Sequence, residues 1–549
     1  MTTFATIARR GGGWLPLIGA SALVGTVTTL ALPAVLGHAV DAVVAGDGSR
    51  RWLAVAAALI AVGLACELLD AYAGTACVAG TTAWLRGSLV RHLLAVGPPG
   101  TARFGTGDLV SRVSGGAADA AQAGPSVVAV AIAALPPLGS LVLLAYIDLW
   151  IAVAFLAGVT LVALVLRTFT RRTAAVITAY QQIQGRIAGR LAESLAGSRT
   201  IAAAGTAERE ERRVLEPLPA LREQGVLTWR VLARSGAQAA VVGPLVLVAV
   251  LAAGGLALVD GRISAGELFA ASRYAVLGAG LGGLTGVFGR LARARAGAHR
   301  VTEVLGLPPV RHGHRTLPAG PGRLEFRGVT VHAGEATLLD SVDLTLPGGT
   351  AIAVVGRSGA GKSVLAALAA RLRDPDRGVV LLDGVPLGEL SHTALRSAVG
   401  CAFERPVLVG GTVADAIGLG LDQDHVRAAA RATHAHEFVC RLPQGYDTAL
   451  ADAPMSGGEA QRLGLARAWN AGRLLVLDDA TSSLDMVTEM QISRALTGDG
   501  GGRTRLIVTH RAATAARADL VVWLDGGRVR AVGPHDRLSD APEYREVFV

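Results

Sequence analysis

The chain has 549 residues, which is long enough for at least two domains. Hydrophobic residues make up 51% of it, charged residues only 17%, and the mean hydropathy is +0.45, which excludes an ordinary soluble protein and indicates a membrane protein. The formal net charge of +9 would suit a nucleic-acid binder, but the positive residues separate apolar segments without forming a patch, so we expect no nucleic-acid partner.

The first half of the chain contains six apolar segments. Four of them lack Asp, Glu, Lys and Arg and are about long enough to cross a bilayer as a helix; the other two are interrupted, one by Glu67 and Asp70 and one by Glu267 and Arg273. The sequence therefore predicts a transmembrane domain over residues 1–304. Its six helices are expected at about 14–44, 52–85, 120–147, 149–168, 235–259 and 263–290.

The distribution of arginines predicts the orientation of these helices. With the N-terminus in the cytoplasm, the inner segments before residue 301 hold 22 arginines, whereas the outer loops hold three, namely Arg50, Arg51 and Arg262. This asymmetry fits the positive-inside rule. We therefore expect a multi-pass protein of the plasma membrane, with its N-terminus and its C-terminal domain in the cytoplasm.

The second predicted span carries two carboxylates, Glu67 and Asp70, at a spacing that puts them on one helix face. A carboxylate inside a membrane is costly unless it faces a cavity or a cation. One interpretation is recognition of a cationic substrate group, or proton coupling. The other is a water-exposed position in a wide cavity, or pairing with an arginine of a second chain.

The C-terminal half begins after a proline-containing segment, 305–322, which we interpret as a linker, and extends over residues 323–549. Its apolar run 351–355 leads into the sequence GRSGAGKS, which matches the phosphate-binding pattern GxxxxGK[ST] between a strand and a helix. Small residues allow backbone amides to surround phosphates. Lys362 is the only lysine in the chain. The residues of this loop are Gly356, Arg357, Ser358, Gly359, Ala360, Gly361, Lys362 and Ser363.

Three further motifs follow the phosphate-binding loop. An apolar strand ends at Asp478, a position from which a carboxylate can reach magnesium, as the Ser363 hydroxyl also can. Small residues precede a helix in the segment formed by Ser456, Gly457, Gly458 and Glu459, so its amides can face a phosphate. Segment 482–485, with the sequence SSLD, follows Asp478, and His510 ends a second apolar strand.

Taken in this order, the motifs resemble those of the ATP-binding-cassette (ABC) family: Walker A, signature, Walker B, D-loop and switch histidine. The six spans resemble the exporter-type membrane domain, and segments 106–112 and 197–201 are similar to the cytosolic loops that couple it to the cassettes. The resemblance implies a six-helix transmembrane domain followed by an α/β P-loop ATPase domain, with ATP and Mg²⁺ as cofactors. It also implies a half-transporter that acts as a dimer, with each ATP between one chain's Walker motifs and the partner's signature.

Three positions depart from the family pattern. Asp479 stands where a glutamate usually polarises the attacking water, Glu404 stands where a glutamine usually senses the γ-phosphate, and Ala333, beside His332, stands where an aromatic residue stacks on adenine. By resemblance, Asp479, His510 and Lys362 are expected to be catalytic. Ser363, Asp478 and Glu404 are the expected metal ligands.

These departures leave two arrangements open. In the first, which we favour, the chain is the slow half of a heterodimer whose partner supplies the glutamate, because one missing methylene moves the carboxylate of Asp479 away from the water. In the second, a homodimer hydrolyses ATP adequately with Asp479 and His510. The family resemblance suggests export of a hydrophobic or amphipathic drug, lipid or peptide; import through the same fold and a nucleotide-gated regulator that does not pump are the alternatives.

Overall fold

The computed structural model describes residues 4–46, 50–101, 103–279, 282–497 and 502–548. The chain divides into two compact units. The first comprises Met1–Leu94 and Phe104–Leu307, and the second comprises Ala95–Arg103 and Pro308–Val549. The short segment Ala95–Arg103 therefore belongs with the C-terminal part of the chain, which the apolar pattern did not predict.

All regular secondary structure in the described part of the first half of the chain is helical. Its α-helices are Phe4–Arg9, Trp14–Val44, Arg50–Thr101, Thr106–Ser111, Ala117–Ala121, Ala123–Ala133, Leu135–Ile147, Leu149–Ala196, Ser198–Ala204, Ala207–Leu215, Leu218–Val259, Ala265–Ala279 and Gly282–Leu305, with one π-helical turn at Arg112–Gly116. Several of these helices continue far beyond the apolar segments that predicted them. The helix of the second predicted span, for example, breaks only at Gly97, whose φ of 72° is left-handed.

Three helical stretches are long and apolar enough to cross a membrane in the part of the chain that the structure describes. They are Trp14–Val44, Arg50–Pro98 and Thr106–Ile147, and two shorter apolar helices occupy Leu149–Leu161 and Gly243–Val259. The sixth predicted span falls on Ala265–Ala279 and Gly282–Leu305, and residues 280 and 281 between them lie outside the described residues. The number six therefore stays a prediction.

Close backbone contact joins the first predicted span to the helix Ala265–Ala279. A Cβ at Gly37 would lie 2.6 Å from the carbonyl oxygen of Gly266, so only glycine fits there. Asp41 accepts hydrogen bonds from the hydroxyl of Ser264 and the amide of Gly266, both at 2.7 Å. Small residues at helix crossings are the usual means of tight packing inside membranes.

The segment predicted as a linker is fixed to the second unit. The amides of Gly313 and Arg315 donate to the carbonyl oxygens of Leu390 and Glu389, both at 3.0 Å, and the amide of Ser391 donates back to Arg315 at 2.9 Å. Prolines prevent a helix there, but the remaining backbone groups are satisfied by an edge of the folded unit.

The second unit contains two sheets with helices packed around them. Its strands are β1 (Leu324–Ala333), β2 (Ala336–Leu346), β3 (Ala351–Val355), β4 (Arg377–Leu382), β5 (Val385–Pro386), β6 (Val399–Phe403), β7 (Leu474–Asp478), β8 (Thr504–Val508), β9 (Leu520–Asp525) and β10 (Arg528–Gly533). Its α-helices are Lys362–Ala369, His392–Ala398, Val413–Gly418, Gln423–Ala432, His436–Val439, Gly457–Trp469, Met486–Thr497, Ala512–Arg517, His535–Leu538 and Pro542–Arg545. The 3₁₀ turns are Leu387–Glu389, Gly445–Asp447, Leu450–Asp452 and Glu546–Phe548.

The larger sheet has the order β10-β9-β3-β8-β7-β6, and the smaller one the order β2-β1-β4-β5. Strands β9, β3, β8, β7 and β6 run parallel, so their carboxyl ends meet at one edge of the sheet. Val508 at the end of β8 pairs with Val354 of β3 on one side and with Asp478 of β7 on the other. This register brings the segments that follow β3, β7 and β8 to a common edge.

Candidate functional site

The predicted phosphate-binding loop follows β3 and ends at the N-terminus of the helix Lys362–Ala369. Gly359 and Gly361 have φ values of 81° and 95°, which side chains other than glycine's rarely adopt. A Cβ at Gly361 would also lie 2.8 Å from the carbonyl oxygen of Leu338. The glycines therefore allow the loop to turn tightly into the helix, where backbone amides are free to receive an anion.

The side chain of Lys362 lies over this loop. Only 6% of the residue is exposed, and its ammonium group donates to the carbonyl oxygens of Gly356 at 2.8 Å and Arg357 at 3.0 Å. Burial lowers the pKa of Lys362, while the nearby carboxylates of Asp479 and Asp478 act in the opposite direction. A positive charge is thus held beside the loop with acidic groups next to it.

Ser363 and Asp478, the two expected metal ligands from the loop and from β7, are in contact. The hydroxyl of Ser363 donates to a carboxylate oxygen of Asp478 at 2.9 Å. Burial raises the pKa of Asp478, and the charges of Asp479 and Glu404 raise it further, although the Ser363 bond opposes them. A hydroxyl and a carboxylate supply the hard oxygen ligands that Mg²⁺ prefers, so this arrangement fits the expected ion.

Asp479 and His510 lie together at the same edge. The ring nitrogen Nε2 of His510 is 3.4 Å from a carboxylate oxygen of Asp479. Asp479 itself has a left-handed φ of 50°, which is uncommon for a residue with a side chain. Burial raises its pKa, against the opposing charges of His510 and Lys362.

Glu404 directly follows β6, whose last residue Phe403 pairs with Asp478. Its side chain is 57% exposed, and its charge contributes to the raised pKa values of Asp478 and Asp479. The structure thus brings Glu404 to the edge that carries Lys362 and Asp478.

The signature segment begins the helix Gly457–Trp469 with a capping box. The amide of Glu459 donates to the hydroxyl of Ser456 at 3.3 Å, and the carboxylate of Glu459 accepts from the amide of Ser456 at 2.8 Å. This bonding lowers the pKa of Glu459. The carboxylate of Glu459 is therefore engaged within its own helix terminus, while Gly457 and Gly458 present backbone in the first turn.

Gln461 is a buried residue that follows the signature segment and was not among the predicted site residues. It is 3% exposed, and its amide nitrogen donates to the carbonyl oxygen of Glu404 at 2.6 Å and to the hydroxyl of Ser482 at 3.0 Å. Its amide oxygen accepts from the backbone of Ser483 at 2.9 Å. One side chain therefore links the signature helix, the segment after β6 and the segment after β7. The sequence signal was only its place in the first turns of that helix.

The predicted adenine-stacking position lies at the turn between β1 and β2. His332 and Ala333 are both exposed, and the ring of His332 is 3.2 Å from the hydroxyl of Thr337. The methyl group of Ala333 offers little surface for stacking, so His332 is the aromatic ring available at this turn.

Comparison with known proteins agrees with this architecture. Residues 15–277 match the family described as ABC transporter transmembrane region, and residues 339–482 match the family described as ABC transporter. The chain is 47% identical over 527 residues to the ABC transporter ATP-binding protein RamA of Streptomyces coelicolor, covering 95% of this chain and 83% of that protein. This chain belongs to the ABC transporter family.

Other relatives indicate which branch of the ABC family this half-transporter resembles. A 265-residue stretch is 40% identical to the ATP-dependent lipid A-core flippase of Alkalilimnicola ehrlichii, covering 46% of this chain and 45% of that protein. The solved structure of a bacterial Atm1-family ABC exporter with ATP bound matches with a TM-score of 0.79 and 25% identity, and 99% of each chain is covered.

These findings confirm the predicted fold class and the identification as an ABC half-transporter. The chain is an exporter-type ABC transporter of the membrane, with a helical transmembrane region fused to an ATP-binding domain, and its activity is ATP hydrolysis coupled to transport. Half-transporters of this type act as dimers. The roles of the individual site residues remain predictions.

Proposed function

We propose that this ABC transporter exports a hydrophobic or amphipathic compound from the cytoplasm, with both its N-terminus and its ATP-binding domain on the cytoplasmic side. Two of the similar proteins are named a lipid A-core flippase and a multidrug efflux protein, and both names fit cargo of this class. The arginine asymmetry of the membrane half supports the orientation.

The observation that supports the ATPase assignment best is the hydrogen bond between Ser363 and Asp478 beside the phosphate-binding loop, over which the ammonium group of Lys362 lies. In our proposal the loop amides and Lys362 hold the phosphates, and Ser363 and Asp478, with Glu404 beside them, hold Mg²⁺. The bound ion would neutralise charge on the phosphates. Ser456, Gly457 and Gly458 would face ATP held by the other subunit, so that two subunits complete each site.

Water activation is the step at which this chain departs from its family. Asp479 would orient the attacking water, with His510 at 3.4 Å holding the carboxylate. The carboxylate is one methylene short, and a displacement of about 1 Å can lower a rate on the order of a hundredfold. We therefore propose that this site is the slower one of a heterodimer in which the partner's site has a glutamate.

The test is ATP hydrolysis by the purified chain in lipid, alone and together with half-transporters that carry the glutamate. We expect little hydrolysis by the chain alone and a clear increase when a correct partner forms a dimer with it. Rapid hydrolysis by the chain alone, with export of an amphipathic dye, would replace the heterodimer by a homodimer and leave the exporter assignment intact.

A further inference from the structure

A cavity of about 670 Å³ lies among the helices of the first unit. It is bounded by parts of Trp14–Val44, Arg50–Thr101, Ala123–Ala133 and Gly282–Leu305. Its walls are mainly apolar, with residues such as Ile18, Val78 and Ile132. This volume is in the range of small-molecule binding sites, which are typically apolar with a few well-placed polar groups.

Asp70 is the acidic residue among the described residues that line this cavity, and one of its carboxylate oxygens has no hydrogen-bond partner among them. Oδ1 of Asp70 is shielded from solvent, and no hydrogen-bond donor reaches it from the described residues. A carboxylate oxygen that is shielded and unpaired is costly, and more so within a membrane. A group that supplies positive charge from inside the cavity would remove this cost.

Glu67, the other carboxylate of the second predicted span, has different surroundings. It is exposed and does not line the cavity. The spacing of three residues rotates the two side chains by about 60° from each other around the helix. The two carboxylates, which the sequence suggested as a pair on one face, are therefore distinguished by the structure, and only Asp70 is directed to a binding volume.

Arg290, whose charge is opposite to that of Asp70, also lines the cavity. Arg290 is exposed, and its long side chain can carry the guanidinium group to water. The side chain of Asp70 is short and part of its carboxylate is already shielded. The shielded oxygen without a partner therefore belongs to Asp70, and a cationic group in the cavity would pair with it.

We propose that this cavity binds an amphiphile with a cationic group, which pairs with Asp70 while its apolar body packs against the surrounding helices. This inference rests on the proposed export function, because it names the substrate class for that transporter. Thr75, Gln122 and Ser126, which also line the cavity, offer polar contacts to the head group.

The experiment uses three forms of one fluorophore: diphenylhexatriene, its trimethylammonium derivative and its propionic acid derivative. Binding to the full-length protein in phosphatidylcholine nanodiscs is measured by energy transfer from tryptophan. We expect the cation to bind about tenfold more tightly than the neutral parent, a difference of about 1.4 kcal/mol. Asp70→Asn removes this preference, and Asp70→Ser, a second variant without the charge, does the same.

Glu67→Gln is the matched control, since it removes a carboxylate one helical turn away and should keep the preference. Absence of a cation preference in the native protein, or equal loss in Glu67→Gln and Asp70→Asn, overturns the inference. ATP-driven movement of the neutral probe is measured with the same variants in sealed phosphatidylcholine vesicles, in the dimer that hydrolyses ATP in the test above. If this movement persists in all variants while the cation preference is absent, the exporter function stands without the Asp70 site. If the native chain in its ATP-hydrolysing dimer moves no probe, the proposed function itself fails.

Discussion

At the residue scale, the amide of Gln461 joins parts of the site that the chain keeps far apart in sequence. Its partners are the backbone of Glu404, the hydroxyl of Ser482 and the backbone of Ser483. Glu404 lies in the segment after β6, and Ser482 and Ser483 lie in the segment after β7 that also contains Asp479. We therefore expect a change at Gln461 to shift both segments. Gln461 is therefore a positioning residue, not a catalytic one.

The variant Gln461→Leu should distinguish an effect on the position of the loops from an effect on ATP binding. Leucine has a similar size but makes none of the three hydrogen bonds of Gln461, each of which contributes about 0.5–1.5 kcal/mol to the free energy of unfolding. We expect kcat for ATP hydrolysis to fall about tenfold or more, as loop displacement predicts, with little change in KM for ATP.

Gln423→Leu is the control for Gln461→Leu, because Gln423 is exposed at the start of the helix Gln423–Ala432. It should leave both quantities unchanged. A rise in KM for Gln461→Leu with kcat preserved would show that the residue affects ATP binding and would contradict the positioning role.

The local motifs of the ATP site were predictable from the sequence, whereas the hydrogen bonds between its loops were not. The pattern at residues 356–363 identifies a phosphate-binding loop because glycines and a following helix dictate its geometry locally. The hydrogen bonds of Gln461 reach Ser482 and Glu404, which lie 21 and 57 positions away in the sequence. Such contacts depend on the sheet order and have no periodic signal in the sequence.

At the scale of elements, two helices of the second unit begin with the same capping box, which provides a matched pair of variants. Ser456 and Glu459 form one at the signature helix, and Thr412 and Asp415 form the other at the helix Val413–Gly418. Ser456→Ala and Thr412→Ala should each lower the free energy of unfolding by about 1 kcal/mol.

Only the Ser456→Ala variant is expected to lower ATP hydrolysis, since only the signature helix is proposed to face ATP. Chemical unfolding and steady-state hydrolysis of both variants check this expectation. Equal loss of hydrolysis in the two variants would mean that general destabilisation is the cause, and the proposed role of the signature segment would then be wrong.

Helix lengths were less predictable than helix positions. The apolar part of the second predicted span ends near residue 85, yet its helix continues and breaks only at Gly97. Beyond the apolar part, charged residues such as Arg86 and Arg91 are compatible with a helix but give no membrane signal. Hydropathy identifies the part of a helix that can cross the bilayer. The end of this helix is instead set by a backbone conformation that glycine allows.

At the scale of the whole molecule, the proposed orientation can be tested with one native cysteine. Cys440 is exposed on the second unit, whereas burial raises the pKa of Cys401 to about 12 and so keeps its thiol protonated at neutral pH. In intact cells a membrane-impermeant maleimide should not label Cys440. Labelling should appear after permeabilisation and disappear in Cys440→Ser.

Asp260→Cys is the positive control for the outer side. Asp260 lies between the fifth and sixth predicted spans, and 62% of its side chain is exposed. We expect this variant to be labelled in intact cells. Labelling of Cys440 in intact cells would reverse the orientation inferred from the arginines.

The central claim for the whole transporter is that Asp479 makes this chain's ATP site the slow one. The most direct measurement is ATP hydrolysis by the native chain, Asp479→Glu and Asp479→Asn, each purified in lipid under the same conditions. We expect Asp479→Glu to raise the rate about tenfold to a hundredfold, whereas Asp479→Asn does not raise the already low native rate. A native chain that already hydrolyses rapidly, is not accelerated by Asp479→Glu and loses its activity in Asp479→Asn would contradict the claim, because Asp479 would then be a fully working catalytic residue.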